Sequence, residues 1–286
     1  MKKRIAIIGA SAGQLSLCRQ AKEMGIETFC FAWSQDAVCK EVVDYFIPVS
    51  IFEMDKIVAY CRKYEVDGVV TNASERTALV ASYVAEKLKL PCTPFKAFLN
   101  IQNKEYVRCK TNMMEGLGSV KVHIGTAKEL MQSVPKPYVL KPVNGSAKRG
   151  VNFVSDSVEN VIIPDDMKND VFMAEQYIEG KEYSVESISY DGQHDVIQIT
   201  EKISTSAPHF VELEHHQPAA LSCELRNKIH DIIPKILTKV CFMNGASHTE
   251  IKIDNRGEVY LIEINPRGGE TLFLMIWYHC LPILII

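Results

Sequence analysis

The chain has 286 residues, a length that accommodates about two domains, and 47% of them are hydrophobic, enough to bury a sizeable core. The formal net charge is −3 and no basic tract stands out, so composition makes no electrostatic case for nucleic acid or an anionic membrane as a partner. The nine cysteines contain no C-x-x-C pair and most fall in apolar runs; they read as reduced core thiols of a cytoplasmic protein, not as a disulfide frame or a zinc site.

The start, Met1-Lys2-Lys3-Arg4 before Ile5-Ala6-Ile7-Ile8-Gly9, has the charge pattern of a signal peptide. Its apolar run is short and enters a Gly-containing turn at once, so a buried strand is expected. Strand and helix patterns then alternate. Strands are expected at Ile5–Gly9, Ile26–Ala32, Tyr45–Val49 and Asp67–Thr71, and helices at Gln14–Gly25, Met54–Tyr64 and Glu75–Leu90. This alternation implies a parallel sheet with crossover helices. The turn Gly9-Ala10-Ser11-Ala12-Gly13-Gln14 is half of a dinucleotide fingerprint. The G-x-G-x-x-G spacing is absent, and Trp33-Ser34-Gln35-Asp36 follows the second strand, so a plain tight turn is expected.

After about residue 100 the rhythm changes. A helix over Lys104–Glu115 leads into short strands at Ser119–Ile124, Tyr138–Val143, Val151–Val154 and Val171–Ile178. Tyr183–Tyr190 and His194–Ile203 flank Asp191-Gly192, a good hairpin turn. Ser222–Val240 is an amphipathic helix in which Pro234 predicts a kink. Two last strands, Ser247–Ile253 and Glu258–Asn265, flank Asp254–Gly257. The end, Leu272 to Ile286, is almost wholly apolar, yet shorter than the roughly 20 residues that span a bilayer. It reads either as a buried closing element or as a chain that has lost its natural end.

Three segments carry chemistry. In the last hairpin, a turn at Asp254–Gly257 would set Ile253 opposite Glu258, Glu250 opposite Leu261 and His248 opposite Glu263. Strand alternation then places His248, Glu250, Glu263 and Asn265 on one face. Two carboxylates and an amide oxygen suit a hard divalent cation that takes its remaining ligands from water and phosphate. The competing reading is a solvated face of alternating charge. Against it, Glu263 sits between Leu261-Ile262 and Ile264, and a buried acid beside another acid needs a compensating cation.

The second segment runs from Lys141 through Gly145, Ser146, Lys148, Arg149 and Gly150 to Val151. Small residues let backbone N–H groups approach phosphate oxygens, and the three cationic side chains add charge. An exposed basic turn is the alternative. The third is Glu175-Gln176-Tyr177-Ile178-Glu179-Gly180-Lys181-Glu182, readable as an ordinary strand–turn–strand or as a hinge whose backbone reads adenine. His215-His216 could be a metal pair, but adjacent histidines point opposite ways on a strand, so a loop is expected.

Taken in order, Lys104, the Tyr138-Val139-Leu140-Lys141 strand with its loop, Glu175 to Glu182, His248-Thr249-Glu250 and Glu263-Ile264-Asn265-Pro266-Arg267 resemble the ATP-grasp superfamily. The His-Thr-Glu and Asn-Pro-Arg-Gly-Gly forms most resemble its carboxylate–amine ligase branch, which includes L-amino-acid ligases and is akin to the large subunit of carbamoyl phosphate synthetase. The resemblance implies an α/β plus α+β fold: a Rossmann-like parallel-sheet domain over residues 1–98, then an ATP-grasp fold with a small lid over 99–176 and a core over 177–286. It implies that Lys104 and Lys141 contact ATP phosphates under the Gly145–Gly150 lid, with Ser146, Lys148 and Arg149 in it. Glu175 would meet the adenine amino group, Tyr177 and Ile178 would present backbone to the ring, and Glu182 would hold the ribose. Glu250, Glu263 and Asn265 would ligate magnesium, with manganese as an alternative. Lys141 and Arg267 would act catalytically, Arg267 on the acyl phosphate. The turn at Gly9–Gly13 and Asn72–Glu75 would line the acceptor site, and His216-Gln217-Pro218-Ala219 would lie beside the substrate. The partners implied are a small-molecule carboxylate and an amine, with a homodimer as the assembly and neither nucleic acid nor membrane involved. One departure stands out: Gly268-Gly269-Glu270 runs into the apolar tail where the family continues with a longer stretch, so a fold without turnover, a bare ATP-binding module, stays open. Carbamoyl-phosphate or purine-pathway chemistry on the same scaffold also stays open, and a dinucleotide-dependent oxidoreductase is disfavoured by the broken glycine fingerprint.

Overall fold

The computed structural model describes residues 2–145, 148–205 and 211–269. Its first sheet is parallel, in the order β3-β2-β1-β4: β1 (Arg4–Ile8), β2 (Glu27–Phe31), β3 (Tyr45–Ile47) and β4 (Gly68–Val70). The connecting helices are α1 (Ala12–Glu23), α2 (Met54–Lys63) and α3 (Glu75–Leu88), as the alternation predicts. β1 is buried on both faces: Ile5 and Ile7 pack towards α1, Ala6 and Ile8 towards α2 and α3. Its hydrophobic run is therefore unbroken, the mark of a strand covered on both sides. In the Gly9–Gly13 turn both glycines are closely packed: a Cβ at Gly13 would lie 2.8 Å from the Ala73 Cβ, and one at Gly9 3.0 Å from Thr77 Cγ2. Gln14 closes the turn, its amide oxygen accepting from Ser11 N–H (3.0 Å) and its amide nitrogen donating to the Asn72 carbonyl.

Two short helices follow, α4 (Phe95–Gln102) and α5 (Lys104–Thr111). Only Asn103 separates them; its extended backbone ends α4, and its side chain caps α5 by accepting from Tyr106 N–H (2.8 Å). The second sheet is antiparallel, in the order β5-β8-β6-β7, from β5 (Val122–Thr126), β6 (Tyr138–Pro142), β7 (Asn152–Val154) and β8 (Val171–Gln176), with helix α6 (Ala127–Ser133) packed on it.

The third sheet, also antiparallel, runs β11-β10-β9-β12-β13: β9 (Lys181–Tyr190), β10 (Gln193–Ser204), β11 (Glu212–His216), β12 (Gly245–Ile253) and β13 (Val259–Asn265). One face takes α7 (Cys223–Lys239) through Ile229, Ile232, Ile233, Ile236 and Leu237. α7 continues through Pro234, since this buried isoleucine-rich stripe holds the helix to the sheet on both sides of the proline. The other face is polar and looks towards the second sheet. Gly180 makes the passage from β8 into β9 possible. A Cβ there would lie 2.4 Å from the Ile253 carbonyl oxygen, and its φ of +157° lies at the edge of what other residues adopt.

Among the described residues no helix is long and apolar enough to cross a membrane. Cys18, Cys30, Cys39 and Cys61 are buried free thiols, whereas Cys109, Cys223 and Cys241 are exposed, so the reading of core thiols holds for only part of the set. Ser146 and the apolar run from 272 lie outside the described residues.

Candidate functional site

The polar face of the third sheet, the second sheet and the N-terminus of α3 enclose a cavity of about 290 Å³. β6 brings Lys141 into it and β8 brings Glu175, which pairs across the sheet with Val139. Lys141 Nζ lies 2.5 Å from Glu175 Oε2, and Arg108 Nε, from α5, lies 2.8 Å from Glu175 Oε1. All three are buried. Burial alone would raise the Glu175 carboxyl; the two cations overcome this and hold it below the usual carboxylate range. Arg108 also donates to the Leu261 carbonyl (2.8 Å), so it ties the second sheet to β13.

Lys104 opens α5. Its ammonium donates to the Gly145 carbonyl (2.7 Å) and sits 2.9 Å from Glu263 Oε1. Lys148 and Arg149 line the same cavity, and each has a carboxylate partner: Lys148 Nζ is 3.0 Å from Glu212 Oε1, and Arg149 Nη2 is 2.6 Å from Asp166 Oδ1. Gly145 also lines the cavity. At the other end, Tyr177 and Ile178 form the crossover from β8 to β9, with the Tyr177 ring against Phe153 (centroids 4.8 Å apart). Lys252 lies over the Tyr177 ring and donates to the Ile178 carbonyl (3.3 Å). Glu182, the second residue of β9, lies 3.3 Å from Lys202 Nζ.

The last hairpin corrects the expected register. Ile253 faces Val259, not Glu258, and Ile251 faces Leu261. A bulge at Ile262 then shifts the pairing, so Glu250 faces Glu263 directly and His248 faces Asn265. The four residues still share one face, and the two carboxylates stand closer than simple alternation predicts. Glu250 accepts from Lys202 Nζ (3.2 Å) and from His248 Nε2 (3.3 Å). Burial would raise the Glu250 carboxyl, but His248 and Lys202 hold it far below its ordinary value. Burial would lower His248; its bonds to Glu186 and Glu250 instead push it up to about 9. Asn265 precedes Pro266 and Arg267, whose backbone N–H donates to the Asn265 carbonyl (2.8 Å). Arg267 lines the cavity, as does Glu75 of α3. Burial and the nearby Glu263 raise the Glu75 carboxyl, opposed by Arg267 and Lys104.

Among the described residues no group of three or more His, Cys, Asp or Glu side chains could hold a metal by itself. The donor set nevertheless fits a hard cation that brings phosphate and water ligands of its own. Two facing carboxylates and an amide oxygen converge, and a lysine ammonium already sits on each carboxylate as a cationic stand-in.

Every described residue expected to bind ATP or magnesium or to act catalytically lines this one cavity, and so does Glu75; His248 lines a neighbouring one, whereas the Gly9–Gly13 turn, residues 72–74 and residues 216–219 line neither, and Ser146 lies outside the described residues. Sequence reasoning missed Arg108, Lys202 and Glu212. Lys202 Nζ has three carboxylates within 3.3 Å, from Glu182, Glu212 and Glu250. Its only signal was a cation near the end of a strand, between Glu201 and Ile203. The expected loop at His215-His216 is instead the end of β11, which pairs with β10 so that Lys202 faces His215 and Glu201 faces His216. The two rings do point apart, each to its own glutamate, Glu212 (3.1 Å) and Glu214 (2.9 Å), so they form no metal pair.

Residues 134–273 match the ATP-grasp domain. The alanine–anticapsin ligase of Bacillus amyloliquefaciens is 26% identical over 244 residues, covering 75% of this chain and 51% of that protein. The chain thus spans about half the length of the curated relatives it matches. The crystal structure of an L-amino acid ligase from Bacillus licheniformis superposes with a TM-score of 0.79 at 27% identity, covering 95% of this chain and 69% of that one. An ADP complex of an N5-carboxyaminoimidazole ribonucleotide synthetase gives a TM-score of 0.76 at 20% identity, over 93% of this chain and 71% of that one, and shows the fold alone.

Proposed function

Since the chain contains an ATP-grasp domain, we propose that it binds Mg-ATP and activates a carboxylate as an acyl phosphate for attack by an amine. The observation that carries this is the cavity. It has cationic side chains at one end, an aromatic and apolar crossover at the other, and facing acids between them. In this reading residues 1–98 form the acceptor-side domain, 99–176 the lid and 177–286 the core of the ligase. Lys104 and Lys141 bind phosphates, with Gly145, Ser146, Lys148 and Arg149 closing over them. Tyr177 and Ile178 present backbone and ring to adenine. Glu182 takes the ribose hydroxyls once Lys202 turns towards its other acids. The Glu175 carboxylate is already engaged by two cations, so its side chain positions Lys141 and leaves the adenine to the neighbouring backbone.

Glu250, Glu263 and Asn265 would hold magnesium, which supplies charge neutralisation for the transferred phosphoryl group. Lys141 and Arg267 stabilise the charge that develops on the phosphoryl oxygens and the acyl phosphate. The lid residues exclude water from an intermediate that water would destroy. Glu75, at the start of α3, lines the cavity and would face the acceptor side. The relatives named as ligases support a small-molecule carboxylate and amine as substrates, and a cytoplasmic setting suits that chemistry.

The test is ADP release with a broad panel of amino acids and other carboxylate–amine pairs. The expected result is stimulation by at least one pair, reduced about 100-fold or more in Glu263→Gln. No stimulation across the panel overturns the reading; nucleotide protection against unfolding without turnover would restrict it to ATP binding.

A further inference from the structure

We infer that Glu186 and His248 form a clamp that sets the Arg267 segment at a fixed position relative to the acid Glu250, making His248 and Glu186 positioning residues of the phosphoryl-transfer site. This rests on the function proposed above.

Three contacts in series carry it. Gly269 N–H donates to Glu186 Oε2 (3.1 Å). Glu186 Oε1 bonds His248 Nδ1. His248 Nε2 bonds Glu250 Oε1 (3.3 Å). Both ring nitrogens are thus committed, and the imidazole can neither flip nor swing without losing a partner. β9 and β12 are hydrogen-bonded neighbours in which Glu186 faces His248, so sheet register fixes the dyad itself. Glu186 is buried and the His248 side chain is only 13% exposed.

The fit around Gly269 is the second observation. A Cβ at 269 would lie 2.6 Å from Glu186 Oε1 and 2.8 Å from His248 Nδ1. Only a glycine lets the backbone just beyond Arg267 come down onto the dyad. A buried pair with no task beyond packing would not require a backbone so close. Here the pair joins the two parts of the site that must keep their spacing during phosphoryl transfer, the acid on β12 and the arginine beyond β13. It also walls a second polar cavity of about 240 Å³ that Arg267 shares. Carboxylate–imidazole contacts that orient a metal-binding acid are commonly worth 10- to 100-fold in metal affinity.

The two ring nitrogens can be tested separately. In His248→Asn the amide stands near Nδ1 and keeps Glu186 while giving up Glu250; in His248→Gln it stands near Nε2 and does the reverse. Two measurements follow on the full chain with its variants. The first is amide hydrogen exchange at Gly268 and Gly269 without ligand. Exchange should quicken in Glu186→Gln and His248→Gln and stay near wild type in His248→Asn. The second is ADP affinity titrated against Mg²⁺. The Mg²⁺ midpoint should rise about 10- to 100-fold in His248→Asn, as in a Glu250→Gln control, with metal-free ADP affinity unchanged. Gly269→Ala, which leaves both partners in place, should quicken exchange as well. Unchanged exchange together with an unmoved Mg²⁺ midpoint, in a chain that binds ADP, overturns the clamp. A wild-type chain that binds no ADP overturns the proposed function instead, and the exchange data then judge the contact network alone.

Discussion

Glu175 holds two buried cations at once, and this makes the residue a stability element as well as part of the site. Neutralising it leaves Lys141 and Arg108 buried without a counter-charge, the expensive half of a broken ion pair. Glu175→Gln should therefore cost about 3–5 kcal/mol in urea denaturation. Lys141→Met should cost less, because Arg108 still neutralises Glu175, yet it should weaken nucleotide binding more. If both variants lost the same stability, the pairing would not be what holds Lys141. Glu212 behaves differently. Burial opposes its charge, but Lys148 and Lys202 bring its carboxyl down from 4.5 to about 2. A folded value below the unfolded one means the contribution is fully present above pH 4.5 and is lost as pH falls towards 2. Glu212→Gln should lower stability at neutral pH and flatten the pH dependence over that window. Parallel wild-type and variant profiles would rule this out.

At the scale of elements, legibility in the sequence followed the range of the interaction that fixes each feature. The parallel sheet was legible because β1 and β2 are apolar over most of their length, buried in all but their first residue, and the turns between elements are local. The facing of Glu250 and Glu263 was legible as alternation, but not their direct opposition. The bulge at Ile262 inserts one residue between Leu261 and Glu263, and nothing in the spacing of Leu261-Ile262-Glu263 announces it. Arg108 was invisible for another reason. On α5 it is one polar residue among several, and its partner Glu175 is 67 residues away. α4 went unread because only Asn103 separates it from α5, so the pair looks like one interrupted pattern. The β11 segment was misread because its residues Glu212 to His216 are all exposed and, Leu213 apart, polar; it is a strand by pairing with β10, not by composition.

The molecule as a whole depends on how its parallel sheet meets the antiparallel sheet that carries the acids, because the cavity takes Glu75 from one and Glu250, Glu263 and Arg267 from the other. One buried hydroxyl sits in that joint. Thr93 Oγ1 donates to the Asn244 carbonyl (2.9 Å) and accepts from Met243 N–H (2.9 Å) and Asn244 N–H (3.0 Å). The Asn244 amide returns a bond to the Cys92 carbonyl (3.2 Å). Thr93→Val keeps the shape and removes the hydroxyl, leaving backbone groups of the 243–244 turn buried without a partner. The expected loss is about 1–3 kcal/mol. Thr93→Ser, which keeps the hydroxyl and deletes a methyl, should lose less. The consequence for the site separates this joint from ordinary packing. If the joint sets the distance between Glu75 and Arg267, Thr93→Val should weaken acceptor-dependent ADP release while ADP affinity, which draws on the two antiparallel sheets, stays near wild type. Equal loss of both would show that the two halves of the cavity are held together elsewhere.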